Sequence, residues 1–184
     1  MVVFQEVYLM AVTVKEVVEA FELLFASMHR KDFCKSLKLK DFTERELQPL
    51  VRTFLLGYFG ESIVPEAAAV LPGSLSGIGR IDYLIDNVAV ELAVRNKGKA
   101  KSTISSSVNS NEVKKLMKHD GLALLVLLDF SDSPASDEEI SRFREWPSLG
   151  RGNHRKSPFN VAYFYKEKKN KLSLGCIRKN ISVA

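Results

Sequence analysis

Two acids in the segment GRIDYLIDNVAVELAVR, Asp82 and Glu91, are spaced to act together. The runs on either side of Asp86-Asn87 alternate apolar and polar residues, and that dipeptide tolerates the positive backbone angles of a tight two-residue hairpin turn. Pairing Ile85 with Val88 sets Leu84 opposite Ala89, Tyr83 opposite Val90, Asp82 opposite Glu91, Ile81 opposite Leu92 and Arg80 opposite Ala93. Opposite residues of such a hairpin approach to about 4.5–5.5 Å, and the 82/91 pair is of the closer, non-hydrogen-bonded type. Two carboxylates at that separation repel unless a cation, a proton or a dipole offsets them, and Mg²⁺ or Mn²⁺ prefers such oxygen donors. The chemistry they suggest is divalent-metal binding. The alternative is a solvated sheet face on which Arg80 and Arg95 neutralise the acids.

The elements that would carry this pair follow from periodicity. One hairpin face holds Ile81, Tyr83, Ile85, Val88, Val90 and Leu92, a core face; the other holds Arg80, Asp82, Leu84, Ala89, Glu91, Ala93 and Arg95. Residues 14–28 repeat apolar side chains at helical spacing, with Val17, Phe21, Leu24 and Phe25 as the inward stripe. A second helix runs from 43 to about 58, because Thr43 and Glu46 form a capping box. Its inner stripe is Leu47, Leu50 or Val51, Phe54 and Tyr58, with Pro49 near the first turn. A short strand over 63–71 and a glycine-rich loop lead into the hairpin. A third helix spans about 111–118, capped by Asn109 or Ser110. The run GLALLVLLDF is a strand buried on both faces and so parallel to its neighbour. A fourth helix opens from a Ser or Asp cap before Glu138 and Glu139, and NVAYFYKEK and KLSLGCIRKNI form a closing strand pair with a turn near Asn170. The order predicts an α/β fold with a central mixed β-sheet flanked by helices.

At 184 residues and 46% hydrophobic, the chain suits one domain over 1–184. The net charge of +5 and pI near 9.2 favour an anionic partner. Lys97, Lys99 and Lys101, beside a serine-rich stretch, and Arg151, His154, Arg155 and Lys156 are candidates for gripping a nucleic-acid backbone, against the plainer reading of solvated basic loops. Cys34 and Cys176 lack CxxC spacing, which argues against a zinc knuckle or a disulfide framework and fits a reducing, cytoplasmic setting. No apolar run approaches the roughly 18 residues of a membrane span, and Gln5 and Glu6 stand where a signal peptide starts basic, so neither membrane insertion nor export is expected. His29 and His119 have no metal-ligand spacing, and Trp146 reads as a packing anchor.

Across about 42–130 the order of helix with glutamate, short strand, GRIDYLI, turn, VAVELAVR, helix and apolar strand resembles the PD-(D/E)xK nuclease superfamily. The resemblance implies a restriction-endonuclease-like core, with 1–41 as an N-terminal helical extension and 131–184 as a basic C-terminal helix and strand pair. It implies that Asp82 and Glu91 bind Mg²⁺ or Mn²⁺ and that the protein is a metal-dependent endonuclease hydrolysing DNA phosphodiester bonds. The motif lysine, however, is replaced by Ala93. Arg80 and Arg95 lie on the same face as that vacated position, but arginine stays protonated and so stabilises charge without acting as a base. Lys114 or Lys115, arriving from the following helix, would match a known departure in the superfamily. The family's helix-borne glutamate would be Glu44 or Glu46, the latter already used by the capping box. Two other functions compete: an inactive nuclease-fold module that binds nucleic acid or a protein, as Ala93 suggests, and an interaction protein whose C-terminal pair adds a strand to a partner's sheet. Nucleases of this fold commonly pair, so a homodimer is expected.

Overall fold

Reciprocal caps start the two long helices in the computed structural model, which describes residues 11–38, 41–70, 78–145, 156–167 and 173–182. Thr13 and Glu16 cap α1 (Val14–Met28), and Thr43 and Glu46 cap α3 (Glu44–Phe59), each threonine hydroxyl accepting the glutamate N–H. Between them lies a short α2 (Lys31–Ser36) that helical periodicity was too brief to signal. The α1 stripe is buried as expected. On α3 the buried residues are Leu47, Val51 and Leu55; Tyr58, expected inside, is 49% exposed, because the buried stripe runs in four-residue steps from Leu47 through Val51 to Leu55 and leaves Tyr58 outside it. Pro49 lies in the second turn, not the first, where its missing N–H leaves the Arg45 carbonyl without its helical donor.

The strands β1 (Ile63–Val70), β2 (Ile78–Ile85), β3 (Val88–Arg95), β4 (Leu122–Asp129), β5 (Phe159–Lys166) and β6 (Leu174–Ile181) form one mixed six-stranded sheet in chain order. The β1–β2, β2–β3 and β5–β6 pairs are antiparallel; β3–β4 and β4–β5 are parallel, as the two-sided burial of β4 requires. The helices α4 (Ser110–Lys118) and α5 (Asp137–Ser141) complete the elements. Against one sheet face α1 and α3 pack with Tyr83, Ile85, Val88, Val90 and Leu92. Against the other, α4 and α5 pack with Ala89, Ala93, Leu125 and Leu127. Edge strand β6 is tied to both layers, through Arg178 to Glu22 of α1 and Lys179 to Asp137 of α5. Its Gly175 lies beneath the Tyr165 ring, which occupies the space a Cβ would need.

Three local expectations are corrected. Asn109 stands at the α4 N-cap, but its amide donates backward to the Thr103 and Ser105 carbonyls, fastening the preceding loop in place of the helix start. In the hairpin turn only Asp86 takes a positive φ, 50°. Ile81, assigned to the face of Tyr83 and Ile85, packs in the opposite layer with Ala89 and Ala93. The cause is a break in the sheet at Asp82. Pairing of β2 with β3 holds from Ile85↔Val88 to Tyr83↔Val90, the predicted register, and goes no further, while β1 stays with β2 past a positive φ at Glu66. No helix among the described residues is long and apolar enough to cross a membrane. Both cysteines are free.

Candidate functional site

The site lies where β2 peels away from β3. In a continued ladder Ile81 and Leu92 would exchange hydrogen bonds; instead the Leu92 N–H donates to Asp82 Oδ2 at 2.9 Å. The carboxylate thus takes over a backbone acceptor's role and is held half-buried in the gap. Glu91, 1% exposed, points into the α4 layer, where Lys115 Nζ donates to its two oxygens at 2.8 and 3.1 Å. Glu44 opens α3 on the other side of the sheet and acts electrostatically on Asp82 through the gap. Glu112, one turn before Lys115 on α4, adds a fourth carboxyl.

Burial and mutual repulsion dominate this cluster. Desolvation, then the charges of Asp82 and Glu112, push Glu44 up to about 7, although the Val94 amide and Lys115 pull the other way. Desolvation and then Asp82 push Glu91 up to about 8 against the opposing pull of Lys115. Asp82 is also raised, chiefly by burial. Burial lowers Lys115, but the Glu91 hydrogen bond and the surrounding carboxylates outweigh it and keep the ammonium charged. One cation therefore faces more acid than it can neutralise, and the cluster as a whole retains a proton near neutral pH. Among the described residues no three acidic, histidine or cysteine side chains already surround a common point. The donor set, carboxylate oxygens with surplus negative charge, is nonetheless of the type a hard divalent cation relieves.

The other residues singled out from sequence go elsewhere. Glu46 is spent on the cap, its carboxylate 2.6 Å from the Thr43 N–H. Lys114, next to Lys115, lines a separate cavity with Ser105 and Arg142. Arg80 is exposed and pairs with Glu66 at 3.5 Å, while Ile81 packs beside Ala93 on the face where the motif lysine would stand. Arg95 also goes elsewhere: it lies on the Glu91 face, but farther along β3 by about 13 Å at the usual strand rise. There its guanidinium, fully buried, binds Asp129 through Nε at 2.9 Å and Nη2 at 2.5 Å, and also Ser131 Oγ and the Ser133 carbonyl. Tyr163 donates to the same Asp129 at 2.5 Å. Burial at the parallel register position Arg95↔Asp129 turns this arginine into a structural ion pair.

Of the basic residues, Lys97 pairs with Asp132 at 3.4 Å, Lys101 with Glu139 at 2.9 Å, and Lys99 and Lys156 are exposed. Arg151, His154 and Arg155, with Trp146, lie outside the described residues. Glu112 and the arginines Arg45 and Arg52 near Asp82 were not identified from sequence; Glu112 was legible only as the i,i+3 neighbour of Lys115. The chain matches no protein-family model, and the searches of curated proteins and of solved structures give no match either.

Proposed function

We propose that the protein is a metal-dependent phosphodiesterase acting on DNA, built on a restriction-endonuclease-like core. The observation that carries this reading is Lys115: it brings an ammonium from α4 to 2.8 Å from Glu91, supplying beside the acids the charge that Ala93 cannot. Asp82 and Glu91 would hold a divalent cation, Mg²⁺ or Mn²⁺, with Glu44 behind Asp82. Such a cation, when bound, acidifies water and offsets charge on phosphoryl oxygens. Lys115, held protonated, stabilises negative charge on the reacting phosphate. Glu44, at about 7, is poised to take a proton at neutral pH.

The test is a titration of Mg²⁺ and Mn²⁺ into the protein and its Asp82→Ala and Lys115→Met variants, with single-stranded, duplex and branched DNA. Metal binding and cleavage are expected to vanish in Asp82→Ala. In Lys115→Met cleavage is expected to fall at least about a hundredfold, as for loss of a group that stabilises transition-state charge, with metal binding retained. DNA binding without any metal effect would leave the inactive nuclease-fold module as the better account.

A further inference from the structure

Next to Asp82 the surface opens into a cleft of about 320 Å³ between α3 and the β1–β2 pair. Its α3 wall presents Arg45, Gln48, Pro49 and Arg52, the i, i+3, i+4, i+7 positions of one helical face. Arg80 and Asp82 of β2 and Lys115 of α4 line it as well. Besides Asp82, Glu66 is the acid lining the cleft, and its 3.5 Å contact with Arg80 joins two mostly exposed side chains, an interaction worth little and easily exchanged. Arg45 and Arg52 are exposed, and neither forms an ion pair among the described residues. The larger cavity of about 750 Å³ near Ser105 differs: its Lys101 is matched by Glu139, which also feels the charge of Arg142, and Glu145 lines it as a second acid beside Lys114.

From this juxtaposition we infer that Arg45, Arg52 and Arg80 form the subsite that holds backbone phosphates of the DNA strand on the β1–β2 side of the carboxylate cluster. The inference rests on the hydrolytic reading for its strand, and on the cleft for its place. Guanidinium groups grip phosphate oxygens in pairs and stay charged at any working pH, so three of them around a small cleft recognise a phosphodiester backbone without reading bases. A volume near the lower end of ligand pockets, about 300–1,000 Å³, suits a sugar-phosphate unit of one strand and not a whole duplex. The same arginines would draw the strand across Asp82 and Lys115, which line the same cleft.

Fluorescence anisotropy with labelled single-stranded and duplex DNA oligonucleotides, in EDTA and over a KCl series, tests this without turnover. Removing one arginine that neutralises a phosphate should flatten the log K against log[salt] slope by about 0.7 for single strands and about 0.9 for duplex, on the order of tenfold in affinity at about 50 mM salt. Arg45→Ala/Arg52→Ala should therefore flatten the slope by about twice that amount, Arg52→Lys should retain it, and Arg142→Ala, which removes one positive charge at the other cavity, should leave it intact. An unchanged slope in the double variant, an equal drop in Arg142→Ala, or no DNA binding by the wild-type protein at about 50 mM salt would each overturn the inference. Cleavage measured in parallel separates the two claims. An arginine-dependent slope without metal-dependent cleavage sinks the hydrolytic reading alone, and cleavage abolished by Glu91→Gln with an arginine-independent slope sinks the cleft alone.

Discussion

Removing one partner of the Arg95–Asp129 pair should cost this protein a large part of its stability without touching the proposed DNA cleavage. Both side chains are 0% exposed, and Asp129 is satisfied by Arg95, by the Ser131 N–H and by the Tyr163 hydroxyl. In Asp129→Ala the guanidinium keeps Ser131 Oγ and the Ser133 carbonyl but has no counter-charge, and its Nη1 already lacks a partner among the described residues. An uncompensated buried charge of this kind costs about 3–5 kcal/mol. For a chain of 184 residues that corresponds to a fall in Tm of roughly 6–20 °C, taking about 2–4 °C per kcal/mol. The double variant Arg95→Met/Asp129→Leu removes both charges and their desolvation penalties and should recover part of the loss, the remainder reflecting the Ser131 N–H and Tyr163 hydroxyl that lose their acceptor. Urea and thermal unfolding followed by circular dichroism, with DNA cleavage assayed well below each Tm, read both effects. A loss under about 1 kcal/mol in Asp129→Ala, or a fall in cleavage by Arg95→Met beyond its unfolded fraction, would refute the structural assignment and return Arg95 to the site.

Other outcomes follow from the same geometry. The folded-state pKa of Glu91, about 8, lies above its ordinary 4.5, so the folded state binds the extra proton; the stability it contributes is complete below pH 4.5 and lost as pH rises toward 8. Melting curves should show stability declining on the order of 1–2 kcal/mol from pH 6 to 8, with a flatter profile in Glu91→Gln; a wild-type profile that rises over that window would contradict the assignment. Thr13→Ala and Thr43→Ala should each cost about 1 kcal/mol for the lost cap. Only Thr43→Ala, adjacent to Glu44, should also weaken Mn²⁺ binding by calorimetry; equal effects from both would detach Glu44 from the site. Gly175→Ala should displace the Tyr165 ring and lower stability by about 1–3 kcal/mol, visible as a reduced urea midpoint.

Local patterns decide much of this molecule. The capping boxes at Thr13 and Thr43, the alternation that sets Tyr83 opposite Val90, and the two-sided apolar run of β4 are legible in the sequence because each depends on residues close in the chain. Asp82, Glu91, Glu44 and Lys115 were all identifiable as candidates by type and position. Their relation to one another was not. Alternation alone makes Asp82 and Glu91 a facing pair and leaves Arg80, Arg95, Lys114 and Lys115 equal in standing; the break of β2 from β3 turns Asp82 onto the Leu92 N–H, brings Glu44 to act on it across the sheet and puts Ile81 in the other layer. The parallel register of β3 on β4 sets Arg95 beside Asp129, and the rotation of α4 on the sheet, not the charge of its side chains, selects Lys115 over Lys114. Sequence determines which residues have the chemistry and which elements carry them, since propensity and periodicity are local. Tertiary structure alone decides which charges share a desolvated space, because burial and long-range packing set both the partners and the protonation of the group.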